Sequence, residues 1–478
     1  MLSVALDRAS GEPLVRQLYV GVRELILTQR LSAGTKLPST RRLSRELQVS
    51  RTVTLDAFGQ LAAEGFIEAR HGSGHFVAQL QLPRSEPRSS LAPSATVETQ
   101  ASIWAPRGRP FDPAWQAVDL FPRQAWGRMI GRGWRRYQHD VLERHWAGLP
   151  GLREALAQHL HPLRGIAVTP DQVMITAGNS EVLGLVSRVL RQRSAGPVYA
   201  WIEDPGLGTA GTVLEREGLT LVPLPIDSDG IRIEEGVRRL PGAAVALVTP
   251  TRQFPLGVPL SLPRRLALLD WAHRTGALII DDDYDGEIRF SGRPLRSLAS
   301  LDPGAPVLTL GSFSKLTFPG LRLGYAAGPP DLIARLVESR RQSYAMVPTL
   351  AQAALAEFIS TGAFARHLRA LRVELTGRRR LLVEMLKSSA DDLVEILPQE
   401  VGMHLTVRLR PRIARRCSDI ELAERGREAG LVLLPLSQQY VEAEPESGFL
   451  LGYAGWAETE MRSATALLIE LLRRTATR

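Results

Sequence analysis

The stretch that decides the fold of this chain is Thr309-Leu-Gly-Ser-Phe-Ser-Lys-Leu-Thr-Phe-Pro-Gly-Leu-Arg-Leu-Gly-Tyr325. The apolar run that leads into it predicts a buried strand ending in a turn of small residues. Lys315 follows where the strand ends. On its own it would be an ordinary solvated charge, but apolar neighbours lower the pKa of an amine and free it to attack an aldehyde. Ser312, Ser314 and Arg322 offer hydroxyls and a planar cation suited to a phosphate. An aldehyde and a phosphate on one small molecule indicate pyridoxal 5′-phosphate (PLP).

A second polar segment, Asp281-Asp-Asp-Tyr-Asp-Gly-Glu287, follows another buried-strand run at 277–280. Three consecutive carboxylates are compatible with a metal site, a solvated loop or a partner for a cationic ring. PLP needs the last of these, because a carboxylate beside the pyridine nitrogen keeps it protonated and makes the ring an electron sink. Tyr284 is placed to hydrogen-bond the ring oxygen. We therefore predict PLP as the cofactor and no metal site.

A third segment, Val173-Met-Ile-Thr-Ala-Gly-Asn-Ser-Glu181, predicts a strand, a glycine turn and the start of a helix. Backbone N–H groups at a helix N-terminus form an anion site, to which Gly178, Asn179 and Ser180 would contribute. Strand–glycine–helix units often bind nothing, so the residues alone leave this interpretation open.

Together these segments resemble fold-type I PLP enzymes of the aminotransferase class, and more narrowly the MocR/GabR-type regulators. Those proteins pair an EDDYD-like strand end with an SFSK-x-x-x-PG-x-R segment. The resemblance implies that Lys315 is the lysine linked to PLP and that Asp282 faces the pyridine nitrogen. It further implies that Tyr284 faces the ring hydroxyl and that Arg322 binds the phosphate. The family also uses the strand–glycine–helix unit for the phosphate.

Three departures from the family pattern concern substrate binding. Arg252 stands where the TP-x-HQFP-x-G turn of the family usually has histidine. Leu450 occupies the position of the arginine that binds the α-carboxylate of an amino acid, and Leu207 replaces the tyrosine after EDPG. The side chain of leucine has no charge and no hydrogen-bond donor, so it cannot replace the charge-assisted contact between arginine and a carboxylate. We therefore predict no catalytic residues and little or no transamination, unless Arg252 or Arg408 reaches the pocket instead.

The N-terminal residues predict a DNA-binding fold. Apolar side chains at helical spacing indicate a helix within 13–30, and Ser39 and Ser50 are candidate N-caps for helices at 40–47 and 51–64. Two strand-like pieces at 66–77 then form a hairpin around a Gly-Ser-Gly turn. A three-helix scaffold with incidental basic residues is the alternative.

The motifs in this segment resemble the winged helix-turn-helix of GntR-type regulators. The resemblance implies that Arg41, Arg51 and Thr52 contact DNA. It also implies that the turn from Gly72 to Gly74 lets the wing approach the minor groove, while the start of the 51–64 helix reads base edges.

Composition and length set the remaining limits. The 478 residues carry a net charge of +9, which favours a polyanionic partner. One cysteine fits a reducing compartment. The sequence has no apolar run of membrane-spanning length and no secretory signal, so we predict a cytoplasmic protein without a membrane partner. Prolines alternate with serine and charged residues in 79–107, and apolar periodicity disappears there, which predicts a flexible linker between a head at 1–78 and an aminotransferase-like domain at 108–478.

The predicted fold is α/β: a winged helix-turn-helix joined to a fold-type I domain with a large α/β part and a small C-terminal α+β part. The predicted function is a PLP-dependent transcriptional regulator. Its partners are a double-stranded operator, a small-molecule effector (PLP or an amine) and a second copy in a homodimer. A working aminotransferase with a fused DNA-binding head is the rival. A degenerate domain without cofactor conflicts with the retained lysine, aspartate and arginine.

Overall fold

The computed structural model describes residue 4 and residues 6–70, 72–79, 108–136, 143–290, 295–343, 345–399 and 401–477. The chain divides into two compact units, Met1–Ile103 and Trp104–Arg478, which we call the head and the main unit. From residue 80 onward the predicted linker lies outside the described residues, so the domain boundaries remain a prediction. Within the described ranges, no helix combines the length and the apolar character needed to cross a membrane.

The head contains three helices followed by a hairpin: α1 Leu14–Leu27, α2 Thr40–Glu46, α3 Arg51–Ala63, β1 Ile67–Arg70 and β2 Gly74–Val77. The predicted caps are confirmed, since backbone N–H groups donate to the hydroxyls of Ser39 and Ser50 at 3.3 Å. Helix α1 lies within the predicted segment 13–30 and ends before Gln29, which takes a left-handed conformation with φ of 57°. The apolar helix faces meet in one small core around Leu18 and Phe58.

The main unit is built on an eight-stranded sheet with strand order β3-β10-β9-β8-β7-β4-β5-β6. Its strands are β3 Val173–Thr176, β4 Val198–Asp204, β5 Leu219–Asp227, β6 Gly230–Ile231, β7 Val245–Val248, β8 Leu278–Asp283, β9 Val307–Ser312 and β10 Gly324–Ala327. Strands β5, β4, β7, β8 and β9 run parallel, whereas β10 is antiparallel to both its neighbours.

Helices cover both faces of this sheet, and side chains of β7 alternate between two cores. The described helices of the main unit, which include those that pack with the smaller C-terminal sheet, are α4 Arg123–Arg136, α5 Pro150–Arg164, α6 Asn179–Gln192, α7 Gly208–Arg216, α8 Ile233–Arg239, α9 Leu262–Thr275, α10 Phe313–Leu316, α11 Pro330–Gln342, α12 Thr349–Ser360, α13 Ala363–Ala390, α14 Pro411–Ala414, α15 Asp419–Glu428 and α16 Glu458–Thr477. Burial on both faces is why the parallel strands read as continuous apolar runs in the sequence.

A second sheet follows near the C-terminus. Its order is β11-β12-β14-β13, with all neighbours antiparallel. The strands are β11 Val394–Ile396, β12 His404–Leu409, β13 Leu434–Pro435 and β14 Gly448–Gly452. A third apolar core joins one face of this sheet to the long helix α13. The observed architecture agrees with the predicted α/β fold class, including its smaller C-terminal α+β part.

Candidate functional site

The strand order of the large sheet brings distant segments to one end of it. Because β10 lies between β3 and β9, the register places Thr176, Gly324 and Ser312 side by side. The segments that follow β3, follow β9 and precede β10 therefore converge. They hold the predicted phosphate and aldehyde residues, namely Gly178, Asn179, Ser180, Ser312, Ser314, Lys315 and Arg322.

Gly178 and Arg322 form the part of this end that suits an anion. The terminal nitrogen of the Arg322 guanidinium lies 3.6 Å from the position that a Cβ of residue 178 would occupy. Gly178 has φ of 120°, which favours glycine, and it caps the N-terminus of α6. Arg322 is exposed and adopts a left-handed conformation with φ of 49°. Such strain costs about 1–3 kcal/mol and is concentrated at functional sites.

The three consecutive aspartates belong to strand β8 and point to alternate faces. Asp281 accepts a backbone N–H at 3.2 Å on one face, and Asp283 forms a buried ion pair with Arg164. Asp282, on the opposite face, accepts a hydrogen bond from the side-chain amide of Asn179 at 2.6 Å. Of the three carboxylates, Asp282 is therefore the one that faces the convergent segments.

Lys315 lies in the first turn after β9, where it is half-buried. Its ammonium nitrogen is 4.8 Å from the ring centroid of Tyr284. Burial lowers the pKa of Lys315, although the nearby carboxylates of Asp285 and Asp282 oppose the shift. Burial also raises the pKa of Asp282 to about 7, with Lys315 opposing it. The amine is thereby held closer to its neutral, nucleophilic form, and the carboxyl is poised to ionise beside a cation.

Arg252 is a buried cation beside Tyr284 in the candidate site. Its guanidinium donates to the hydroxyl of Tyr284 at 3.0 Å and to the carboxylate of Asp285 at 2.7 Å. It also donates to the side chain of Gln399 at 3.1 Å and to the carbonyl of His404 at 3.0 Å. Arg252 therefore faces the site and ties the β7–α9 loop to the C-terminal part, but its charge is already paired.

The other candidate for binding a carboxylate, Arg408, is likewise occupied. It donates to Glu446 at 2.7 Å and to Glu395 at 3.1 Å. Leu450 is fully buried in β14, directly opposite Thr406 of β12. Thr406 donates to the carbonyl of Pro255 at 2.7 Å, so this face of the small sheet looks toward the β7–α9 loop. The position predicted for a substrate-binding arginine thus presents an apolar side chain.

A cavity of about 250 Å³ opens beside Leu207. Its described lining includes the carboxylates of Glu203 and Glu215 and contains no lysine or arginine. Glu203 accepts hydrogen bonds from the backbone and hydroxyl of Thr249. Burial raises the pKa of Glu203 to about 7. Among the described residues, this lining offers no cation that could pair with a free carboxylate.

The donor set of the convergent segments fits PLP. Lys315 supplies an amine for an aldehyde, and Asp282 supplies a buried carboxylate for a cationic ring nitrogen. Arg322 and the start of α6 provide a cradle for a dianionic phosphate. The side-chain oxygen of Asn179 is buried without a hydrogen-bond partner among the described residues, which is expected where a ligand completes a site.

The head presents its own candidate surface. Arg41, Arg51 and Thr52 are exposed on α2 and α3. Arg42 is paired with Glu46, whereas no carboxylate within the described residues pairs with Arg41 or Arg51. The hydroxyl of Thr54 donates to the carbonyl of Thr40 at 3.2 Å and fixes α3 against α2. The predicted contacts to bases therefore come from the exposed start of a rigidly held helix.

The wing of the head is the hairpin of β1 and β2, in which residue 67 pairs with residue 77. Gly72 and Gly74 have φ of 72° and 102°, the backbone region that favours glycine. His71, which precedes the predicted Gly-Ser-Gly turn, lies outside the described residues. The turn has the tight, small-residue tip that close approach to a DNA groove requires.

Sequence reasoning missed the partners of Arg252. Asp285, Gln399 and His404 are 33, 147 and 152 residues away from it, so no local spacing links them. Burial, with Arg252 and Lys315 nearby, also holds the pKa of His404 well below its usual range. The cavity beside Leu207 was likewise not predicted from the residues around it.

Comparisons with known proteins agree with both parts of this description. The family "Aminotransferase class I and II" matches residues 142–466, and "Bacterial regulatory proteins, gntR family" matches residues 14–77. The chain is 36% identical over 472 residues to the probable rhizopine catabolism regulatory protein MocR of Rhizobium meliloti, covering 96% of this chain and 94% of that protein.

It is also 29% identical over 477 residues to the HTH-type pyridoxine biosynthesis transcriptional regulator PdxR of Corynebacterium glutamicum, covering 96% of both chains. Among solved structures, a kynurenine aminotransferase of Pyrococcus horikoshii superposes with a TM-score of 0.71 and 23% identity. That match covers 82% of this chain and 97% of the other. These matches confirm the predicted fold class and the predicted combination of domains.

Proposed function

We propose, because the chain belongs to the MocR type of GntR-family transcriptional regulators, that its main unit binds PLP and senses a small molecule to control operator binding by the head. The observation that carries the proposal is the convergence of Lys315, Asp282 and Arg322 at one end of the sheet. Each has the chemical group that one part of PLP requires. Their positions at the ends of buried strands hold them in place.

Each residue has a distinct proposed role. PLP supplies an aldehyde and an electron-accepting ring when bound. Lys315 provides the amine for the covalent link, and Asp282 holds a proton on the pyridine nitrogen. Tyr284, oriented by Arg252, hydrogen-bonds the ring oxygen. The phosphate would be held by Arg322, with Ser312, Ser314 and residues 178–180 completing the cradle.

We propose further that this regulator has little or no transaminase activity toward ordinary α-amino acids. Leu450 offers no charge to an α-carboxylate, and Arg252 and Arg408 are already paired with acids. A carboxylate left unpaired in a buried pocket costs several kcal/mol. The effector is then PLP itself or an amine outside the ordinary α-amino acids.

Membership in the family also supports a cytoplasmic homodimer. Two heads related by a two-fold axis would bind an operator with two half-sites. Sedimentation of the full chain at micromolar concentration tests this part, because a monomer would contradict it.

Removing the proposed PLP lysine tests the main proposal. Lysine occurs at only three positions, 36, 315 and 387, so the covalent link can be assigned by elimination. Lys315→Ala should lose the borohydride-fixed PLP, whereas Lys387→Ala, which changes an exposed lysine, should keep it. PLP should change the operator affinity of wild type and of Lys387→Ala, but not that of Lys315→Ala. Retention of fixed PLP by Lys315→Ala would refute the assignment.

A further inference from the structure

The outward face of helix α3 carries an unusual side chain for a polyanion-binding surface. Arg51, Thr52, Leu55 and Asp56 are all exposed there. Leu55 is 46% exposed, more than any other large apolar side chain described in the head. The next are Val20 and Leu27 of α1, at 36% each. The apolar side chain of Leu55 is therefore exposed on the surface of the head that is expected to contact DNA.

Helix geometry places Leu55 on the same face as Arg51, one turn further along α3. Four residues advance a helix by about 6 Å. Successive base pairs are about 3.4 Å apart along DNA. If Arg51 reaches one base edge, Leu55 therefore lies on the order of two base pairs away from it.

The surroundings of Leu55 indicate what covers it. Arg51, Thr52 and Asp56 surround it with polar and charged groups, which is a poor setting for an apolar protein partner. The cations of Arg41 and Arg51, which pair with no carboxylate in the described part of the chain, instead complement the phosphates that border a groove. In the major groove, the C5-methyl group of thymine is the apolar group that a base edge presents.

We propose that Leu55 reads a thymine by packing on its C5-methyl group, about two base pairs from the base contacted by Arg51. This inference rests on the DNA-binding role of the head and adds a sequence preference to it. Arg51 favours guanine because a guanidinium can donate twice to the O6 and N7 acceptors of that base. Each half-site should then pair a guanine with a nearby thymine.

The test exploits the single methyl group that separates thymine from uracil. Operators are first selected from random duplex DNA with the full-length wild-type protein. Each thymine is then replaced singly by deoxyuracil, which keeps base pairing but removes the methyl group. We expect one thymine in each half-site at which the replacement weakens wild-type binding about fourfold. A loss of this size corresponds to the free energy of burying roughly one methyl group.

Leu55→Ala should show the same loss on the thymine operator and no further loss on the uracil operator. Alanine is a strong helix former, so this change at an exposed position leaves α3 intact. Leu55→Met should keep the sensitivity to uracil. Leu27→Ala, which removes a similarly exposed leucine from α1, should behave as wild type on both operators.

Two outcomes would overturn the proposal. One is that no uracil replacement weakens wild-type binding, and the other is that Leu55→Ala still discriminates thymine from uracil at the same position. Failure to select any operator is distinguishable from both, because it would refute DNA binding by the head itself.

Discussion

Replacing Arg252 with alanine should be among the most damaging single changes in the main unit. The side chain is 2% exposed and donates four hydrogen bonds, to Asp285, Tyr284, Gln399 and the carbonyl of His404. Its removal takes away the ion-pair partner of the equally buried carboxylate of Asp285. Breaking a buried pair in this way costs about 3–5 kcal/mol, so we expect the free energy of unfolding of the main unit to fall by that amount.

Tryptophan fluorescence during urea unfolding reports this change for the main unit alone, because all eight tryptophans lie at position 104 or later. Two controls sharpen the measurement. Arg274→Ala breaks an exposed pair with Asp270 and should cost about 0.5 kcal/mol or less. The double change Arg252→Met with Asp285→Leu removes both buried charges and should recover most of the lost stability, since apolar replacements of a buried pair are often neutral.

A loss of unfolding free energy for Arg252→Ala no larger than that for Arg274→Ala would contradict this prediction. The prediction would equally fail if the double variant were no more stable than Arg252→Ala. The first result would mean that the charge of Asp285 is accommodated without Arg252. The second would mean that the damage comes from lost packing instead of an unpaired charge.

Three further predictions concern acidity, DNA and chemistry. Burial raises the pKa of Glu203 to about 7, so from about pH 4.5 to pH 7 the unfolded chain releases a proton that the folded chain keeps. Stability should therefore fall as pH rises through this window. Urea unfolding gives the free energy of unfolding at about pH 5 and pH 8, and Glu203→Gln should reduce the difference between the two values by roughly 3 kcal/mol. Arg51→Ala should weaken binding to the operator by about 1–3 kcal/mol and binding to random DNA much less, as measured by fluorescence anisotropy. An equal loss on both DNAs would mean that Arg51 contacts a phosphate and not a base. A panel of α-amino acids should release no keto acid from the PLP-loaded protein, because Leu450 offers them no charge; rapid conversion by several of them would revive the aminotransferase.

The predictable parts of this molecule are those encoded over short stretches. Apolar runs predicted strands β8 and β9, and the spacing of Ser312, Lys315 and Arg322 marked the candidate site. The N-caps of α2 and α3 were also predictable from local sequence, because each serine hydroxyl accepts a hydrogen bond from a backbone N–H only three residues away.

Features that depend on long-range packing were not predictable. The apolar run predicted a strand over 277–280 followed by the acidic segment, whereas strand β8 continues to Asp283. Only the full strand gives Asp281 and Asp283 a different face from Asp282. Each outer aspartate is stabilised there by a group from another element: Asp283 pairs with Arg164, and Asp281 accepts a backbone N–H. The residues of one short stretch do not indicate which groups of distant elements will pair with them.

The position of β10 has a consequence for how the protein is made. β10 is the last strand of the large sheet in the chain, yet it lies between β3, the first, and β9. A ribosome-bound chain lacking residues 324–327 has no means of joining β3 to the rest of the sheet, and Arg322 cannot yet reach Gly178. Binding of PLP at the proposed site would therefore follow the pairing of these distant strands, because Gly178 comes just after β3 and Arg322 just before β10.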